Sequence, residues 1–237
     1  MHLWLTRPIE DAGRLRAQLV GQGHEVTMEP LLRIEYFRDE PIDFEDAQAL
    51  IATSKNALRA LAGRPEEAAL KEIPLFVVGR GTAQAAEAMG FETVIEGPSN
   101  ASALMGLIIN ACSINDGALI HLSAANVAYN LCEELRHLGY HVFQPILYRA
   151  VQATNLSDVL LRNIKIGRIE GVILLSGRTA EAYASIVNTP ELLGPIRKLT
   201  HFCLSTAVSA RLSTLQPINV KLSSRPNIDE MLALTAL

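Results

Sequence analysis

Apolar positions along the chain follow two patterns that take turns. Short, continuous apolar runs such as "HLWLT", "ALIATS", "PLFVVG", "ALIHL", "GVILLS" and "THFCLS" read as strands buried on both faces. Between them, apolar residues recur every three or four positions. Leu15 and Leu19 share one helical face of "IEDAGRLRAQLVGQG", and Leu131 and Leu135 one of "ANVAYNLCEELRHLG". Gly21 and Gly23 end the first helix, and "HEVTM" resumes as strand. Short connections of this kind predict parallel strands joined by right-handed crossovers.

The pattern repeats. Leu15 and Leu131, Leu19 and Leu135, and Gly23 and Gly139 are each separated by 116 residues, so 118–151 restates the opening of the chain. A second pair of blocks lies between and after these. "ALIATSKNALRALAG" resembles "GVILLSGRTAEAYAS", and "PLFVVGRGTAQAAEAMGF" resembles "THFCLSTAVSARLSTL". Each copy of this block ends in a weak strand ("ETVIEG", "INVKLS") and a capped helix. Ser99 or Asn100 is placed to cap the helix through Leu104 and Ile108, both expected in the core. Asn227 and Glu230 form a candidate capping box for the last helix. The order is A-B-A′-B′, two related α/β lobes.

One stretch is too long for this scheme. His24 to Phe37 as a single strand would span ~46 Å at ~3.3 Å per residue, more than twice an ordinary strand. Pro30 is a natural exit from a sheet, because proline donates no ladder hydrogen bond. The tails "LLRIEYF" and "ILYRAV" are therefore expected to leave their sheets and run side by side as a two-stranded connector. The first lobe would then hold A with B′ and the second B with A′; consecutive folding of A-B and A′-B′ is equally compatible with the periodicity. Polar "RDEPIDFED" and "QATNLSDV" mark the junctions.

Composition narrows the function. Among 237 residues 49% are hydrophobic and 19% charged, ample for packed cores. The formal charge of −4 argues against a nucleic-acid partner and leaves any anionic ligand to local groups. Cys112, Cys132 and Cys203 are dispersed, with neither a zinc spacing nor a disulfide framework, as in a reducing, cytoplasmic compartment. The apolar run at the N-terminus is too short for a signal peptide core, and no segment approaches a membrane span.

In parallel α/β lobes, ligands collect at the carboxyl ends of the strands. The loops expected there contain Arg7, Thr53, Ser54, Gly79, Thr82, Ser99, Ser123, Ser176, Arg178 and Ser205. They are rich in hydroxyls, glycine and a few cations, and they lack the carboxylates and histidines of a metal or hydrolytic site. Exposed amides at helix starts suit oxyanions, so the ligand implied is a polyanion held by many modest contacts. Each such residue alone is more often a helix cap; recurrence on both lobes favours a site. Gly79-Arg80-Gly81 has Gln84 where a dinucleotide fingerprint wants its third small residue, and no suitably placed acidic partner follows. His137 and His141 straddle the helix-breaking Gly139, which argues against a metal pair. Tyr148, on the proposed connector, can either pack or donate a proton into a cleft.

"LWLTRPIEDAGRLRAQLVGQGHEVTMEPLLRIE", "LIATSKNALRAL", "FVVGRGTAQAAEAMGF" and "ILYRAV" together resemble the blocks of uroporphyrinogen-III synthases, in order and along essentially the whole chain. The resemblance implies two parallel-sheet, flavodoxin/Rossmann-like α/β lobes joined by a two-stranded β linker. Lobe 1 would comprise 1–33 and 152–237, lobe 2 38–146, and the linker 31–37 and 146–151. It implies cyclisation of hydroxymethylbilane to uroporphyrinogen III, with loss of water and inversion of the last ring, in haem, sirohaem or cobalamin-type biosynthesis. The enzyme would be a cytoplasmic, monomeric lyase without cofactor or metal, in at most transient contact with neighbouring pathway enzymes. Tyr148 matches the linker tyrosine proposed as proton donor. Thr53, Ser54, Gly79, Thr82 and Ser176 match cleft-lining loops, and Arg7 the arginine after the first strand; Ser99 and Arg178 join them as substrate-binding candidates. "LSAAN" lacks the usual Arg-Gly and Ser205 replaces a common glycine, which puts contacts from Ser123 and Ser205 in question. The rival readings are a two-lobed binding module without activity and a dinucleotide-dependent enzyme.

Overall fold

The computed structural model describes residues 1–98, 100–127 and 129–236. The chain opens with β1 (His2–Leu5), α1 (Ile9–Gly21), β2 (Glu25–Met28) and β3 (Leu32–Tyr36). Next come β4 (Ala47–Ala52), α2 (Lys55–Leu61), α3 (Glu67–Leu70), β5 (Leu75–Val78), α4 (Arg80–Met89), β6 (Val94–Gly97) and α5 (Ala101–Ala111). They are followed by β7 (Ala118–His121), β8 (Ser123–Ala124), α6 (Leu131–His137), β9 (Val142–Phe143) and β10 (Ile146–Gln152). The last part holds α7 (Asp158–Lys165), β11 (Gly171–Leu174), α8 (Gly177–Val187), α9 (Pro190–Ile196), β12 (Thr200–Cys203), α10 (Thr206–Ser209), a 3-10 helix (Ala210–Leu215), β13 (Asn219–Leu222) and α11 (Ile228–Thr235). Two compact units result, Met1–Arg33 with Val151–Leu237 and Ile34–Ala150.

In the first unit five parallel strands lie in the order β13-β12-β11-β1-β2. Numbered along the chain within the unit, this is the flavodoxin order 2-1-3-4-5. Trp4, Val172 and Leu174 face Leu160, Tyr183 and Ile196 of α7, α8 and α9. Leu3, Leu5 and Ile173 face α1 and α11. Both faces are thus covered, which is why β1 and β11 have no polar alternation. Gly171 is required by this density: a Cβ there would lie 2.8 Å from Phe202 Cε2 and 3.2 Å from the Thr200 carbonyl oxygen.

In the second unit the parallel order is β6-β5-β4-β7-β9. Within that unit the chain order is 3-2-1-4-5, as in one half of a Rossmann sheet. Leu50, Val77 and Ile120 pack on α2 and α4, while Ile51, Phe76 and Leu119 pack on α5 and α6. Matched by repeat, both sheets have the same spatial order: the three strands of a B block, then the two of an A block. The flavodoxin and Rossmann numberings differ only because the chain enters the two copies at different points.

Four local features differ from the sequence reading. The strands β3 and β10, expected as a two-stranded connector, belong to a three-stranded sheet, β3-β10-β8, in which Tyr148 stands opposite Ala124. The third strand arises because "LSAAN" continues extended past β7 and donates from Ser123 N to the Pro145 oxygen and from Ala125 N to that of Tyr148. The helix expected from Ala125 starts only at Leu131, where the Asn130 side chain accepts from Glu133 N. The polar junction "QATNLSDV" contains the start of α7, capped by Ser157 accepting from Leu160 N. The final capping box is half formed: Asn227 accepts from Glu230 N, but the Glu230 carboxylate is taken by the Ser224 hydroxyl. Among the described residues no helix is long and apolar enough to cross a membrane.

Candidate functional site

A doubly wound sheet offers a crevice where neighbouring strands send their crossovers to opposite faces. In the second unit that point lies between β4 and β7. A cavity of about 450 Å³ opens there, lined among others by Thr53, Val78, Asn100, His121, Tyr129 and Tyr148. Thr53 follows β4 directly, and Tyr148 reaches the same cavity because β10 pairs with the two-residue strand after β7. Tyr148 is 7% exposed, with its ring packed in the core on the α2/α4 face. Asn100 caps α5, accepting from Ala103 N at 2.8 Å, so the start of this 11-residue helix faces the cavity.

The other expected residues of this unit sit on the same carboxyl edge outside the cavity lining. Ser54 caps α2, accepting from Asn56 N at 3.2 Å. Gly79 adopts φ 72° ahead of α4, a left-handed conformation that glycine tolerates without penalty. Thr82 is buried in the first turn. Ser99 lies outside the described residues. Ser123 is fully buried, donating to the Ala124 oxygen and accepting from Gln144 Nε2 at 3.0 Å, so it is no free anion donor. Arg80, whose side chain could have served an anion, is held by Glu96 at 3.0 Å and Glu87 at 3.9 Å. Lys55 instead lies over Gly81, where a Cβ would come within 3.4 Å of its Nζ.

In the first unit the corresponding point lies between β1 and β11. Arg7 follows β1 and is half-buried. Ser176 caps α8, accepting from Thr179 N at 3.1 Å and sharing a hydrogen bond with Thr179 Oγ1 at 2.8 Å. Arg178 is exposed in the first turn of α8. These three residues share a sheet edge.

A family model for uroporphyrinogen-III synthase HemD matches residues 13–233. The chain belongs to that family. Uroporphyrinogen-III synthetase from Helicobacter pylori superposes with a TM-score of 0.68 at 17% identity, over 98% of this chain and 96% of that one. A mutant uroporphyrinogen III synthase from Thermus thermophilus gives 0.56 at 12% identity, over 98% and 96%. Both similarities are similarities of fold. No curated protein matches at the level of sequence. Uroporphyrinogen-III synthases are cofactor-independent cyclising lyases, and the activity of this chain is closure of hydroxymethylbilane to uroporphyrinogen III in tetrapyrrole biosynthesis.

Among the residues lining the cavity, Tyr129 and His121 were not site candidates in the sequence. Tyr129 lies in a segment that reads as helix. His121 ends an apolar strand, where its signal was only that it is polar in a run otherwise without polar residues. It is 1% exposed, and its Nδ1 lies 3.1 Å from Cys132 Sγ on α6. Burial lowers its pKa to about 4 and raises that of the Cys132 thiol to about 11, so both are neutral near pH 7. Among the described residues no group of three or more His, Cys, Asp or Glu side chains is arranged to hold a metal ion.

Proposed function

We propose that hydroxymethylbilane reacts at the carboxyl edge of the second unit, with Tyr148 as general acid. Its phenol gives a proton to the departing hydroxyl, the C–O bond breaks with electrons supplied by the attached pyrrole, and water leaves. The resulting cationic methylene bonds to the substituted carbon of the last ring, and the bond from that carbon to its original methylene breaks. That methylene re-bonds to the free α carbon of the same ring, whose proton returns to the tyrosinate; the ring is thereby inverted. The observation supporting this assignment is that Tyr148 and Thr53, from opposite ends of the unit's sequence, line one cavity at the strand-order switch. Thr53, Ser54, Gly79 and Thr82 supply hydroxyls and helix-start amides for substrate carboxylates; Arg7, Ser176 and Arg178 are the corresponding anion-binding candidates on the first unit's own sheet edge.

The chemistry asks mainly for geometry. The linear substrate closes spontaneously to the uninverted type I isomer, so the enzyme must hold the chain in the curl that lets the other carbon attack. Orientation of this kind lowers a barrier by several kcal/mol without strong acids or bases. The protein works as a monomer in the cytoplasm, in keeping with its free thiols, and in transient contact with enzymes before and after it.

The test supplies freshly made hydroxymethylbilane and separates the type I and type III products after oxidation. Wild-type protein should give type III in excess over the no-enzyme control. Tyr148→Phe should lower kcat by about a hundredfold, the lower range for losing a general acid, with a smaller effect from Thr82→Ala. Tyr148→Phe with unchanged kcat would remove its role.

A further inference from the structure

The imidazole of His121, a residue lining the cavity, carries an unused polar atom. Nδ1 is turned to Cys132 Sγ at 3.1 Å, whereas Nε2 is buried with no hydrogen-bond partner among the described residues. A buried polar atom without a partner costs free energy unless something else supplies the bond, and such atoms in native structures commonly have a reason. His121 lines the cavity that also holds Thr53 and Tyr148. Bare packing would be served better at this position by leucine, since the rest of β7 is apolar.

The pairing also sets the tautomer. The Cys132 thiol stays protonated and, 3.1 Å from Nδ1, is placed to donate to it. Nδ1 then accepts, and the single ring proton of the neutral imidazole sits on Nε2. The unpartnered atom is therefore an N–H, a donor seeking an oxygen. An uncharged donor of this kind can bind a carboxylate near neutral pH without a buried positive charge in the empty site.

We infer that His121 is a substrate-positioning residue: its Nε2–H, held in that tautomer by Cys132, donates to a carboxylate oxygen of the tetrapyrrole in the Tyr148 cavity. This rests on the assignment of the reaction to that cavity and adds a contact to it. The contact is present equally in bound substrate and transition state, so its loss acts on KM and leaves kcat largely unchanged.

The test combines kinetics with spectroscopy. His121→Leu should raise KM on the order of tenfold to a hundredfold, the range for a lost hydrogen bond to a charged acceptor, at nearly unchanged kcat. His121→Gln, which keeps an N–H near the Nε2 position, should recover most of that loss. A merely structural role would give neither the split nor the rescue. In ligand-free wild-type protein, the nitrogen-15 shifts of labelled histidine should report the Nε2–H tautomer at His121, and Cys132→Ala should weaken that preference. An Nδ1–H tautomer in the wild type, an unchanged KM in His121→Leu, or a Gln variant no better than the Leu variant would each overturn the inference. The tautomer measurement stands even where His121→Leu does not fold. Failure of the assignment to this cavity reads differently: Tyr148→Phe would then leave kcat unchanged.

Discussion

Burial of His121 makes the stability of the second unit depend on acid in a calculable way. The imidazole titrates at about 4 in the folded chain against an ordinary 6.5, and desolvation is the cause. The unfolded chain therefore binds the proton more readily. The contribution of neutral His121 is complete above the unfolded value and is lost progressively as pH falls below it towards the folded value. At about 1.36 kcal/mol per pH unit, the drop from 6.5 to about 4 bounds the effect at ~3 kcal/mol, with ~2 kcal/mol already lost near pH 5. His2 and His201 are also lowered by burial and tilt the curve the same way, so wild type alone would not isolate His121. The informative quantity is the difference between wild type and His121→Gln, whose side chain does not titrate. Urea unfolding followed from neutral to acidic pH should show the wild type losing ~2 kcal/mol more than the variant by about pH 5. Parallel curves would refute the reasoning, because they would mean that His121 is reached by water or a counter-charge in the folded protein.

Two further outcomes test the packing of the first unit. Asn219 O can only accept, so His201 Nδ1 donates to it, and Nε2 at 2.9 Å accepts from the Tyr183 hydroxyl. Tyr183→Phe strands that buried nitrogen and should cost about 1–3 kcal/mol in urea unfolding; a change below about 0.5 kcal/mol, ordinary surface scatter, would show the pair to be dispensable. Gly171→Ala forces a methyl against Phe202 and the Thr200 backbone and should cost about 1–3 kcal/mol. A neutral outcome in the same assay would mean that β11 and β12 separate more easily than their packing implies.

Much of the candidate site is legible in the sequence because its logic is local. Thr53 and Tyr148 were visible as a hydroxyl after a buried strand and an aromatic on a strand too long for its sheet. Ser123 was visible as a hydroxyl in the same kind of position, yet it is buried against Gln144. Whether a serine caps, packs or faces a ligand depends on how the loop turns, and β8 turned it inward. His121 and Tyr129 could not be read as site residues, because nothing within a few positions of either tells which wall of which cavity it joins.

Repeat, period and turn chemistry determined the list of strands and helices, their parallel sense and the α/β class, since each rests on interactions within about one βαβ unit. The choice of partners was left to the tertiary structure. The B and B′ blocks carry nearly the same apolar pattern, so β1 could by pattern alone sit beside β4 or β11; it pairs with β11, Leu3 against Gly171. That choice depends on how side chains from distant segments interlock around a glycine with no room for a methyl group. Packing of this kind is a property of three dimensions, and no stretch of the chain contains it.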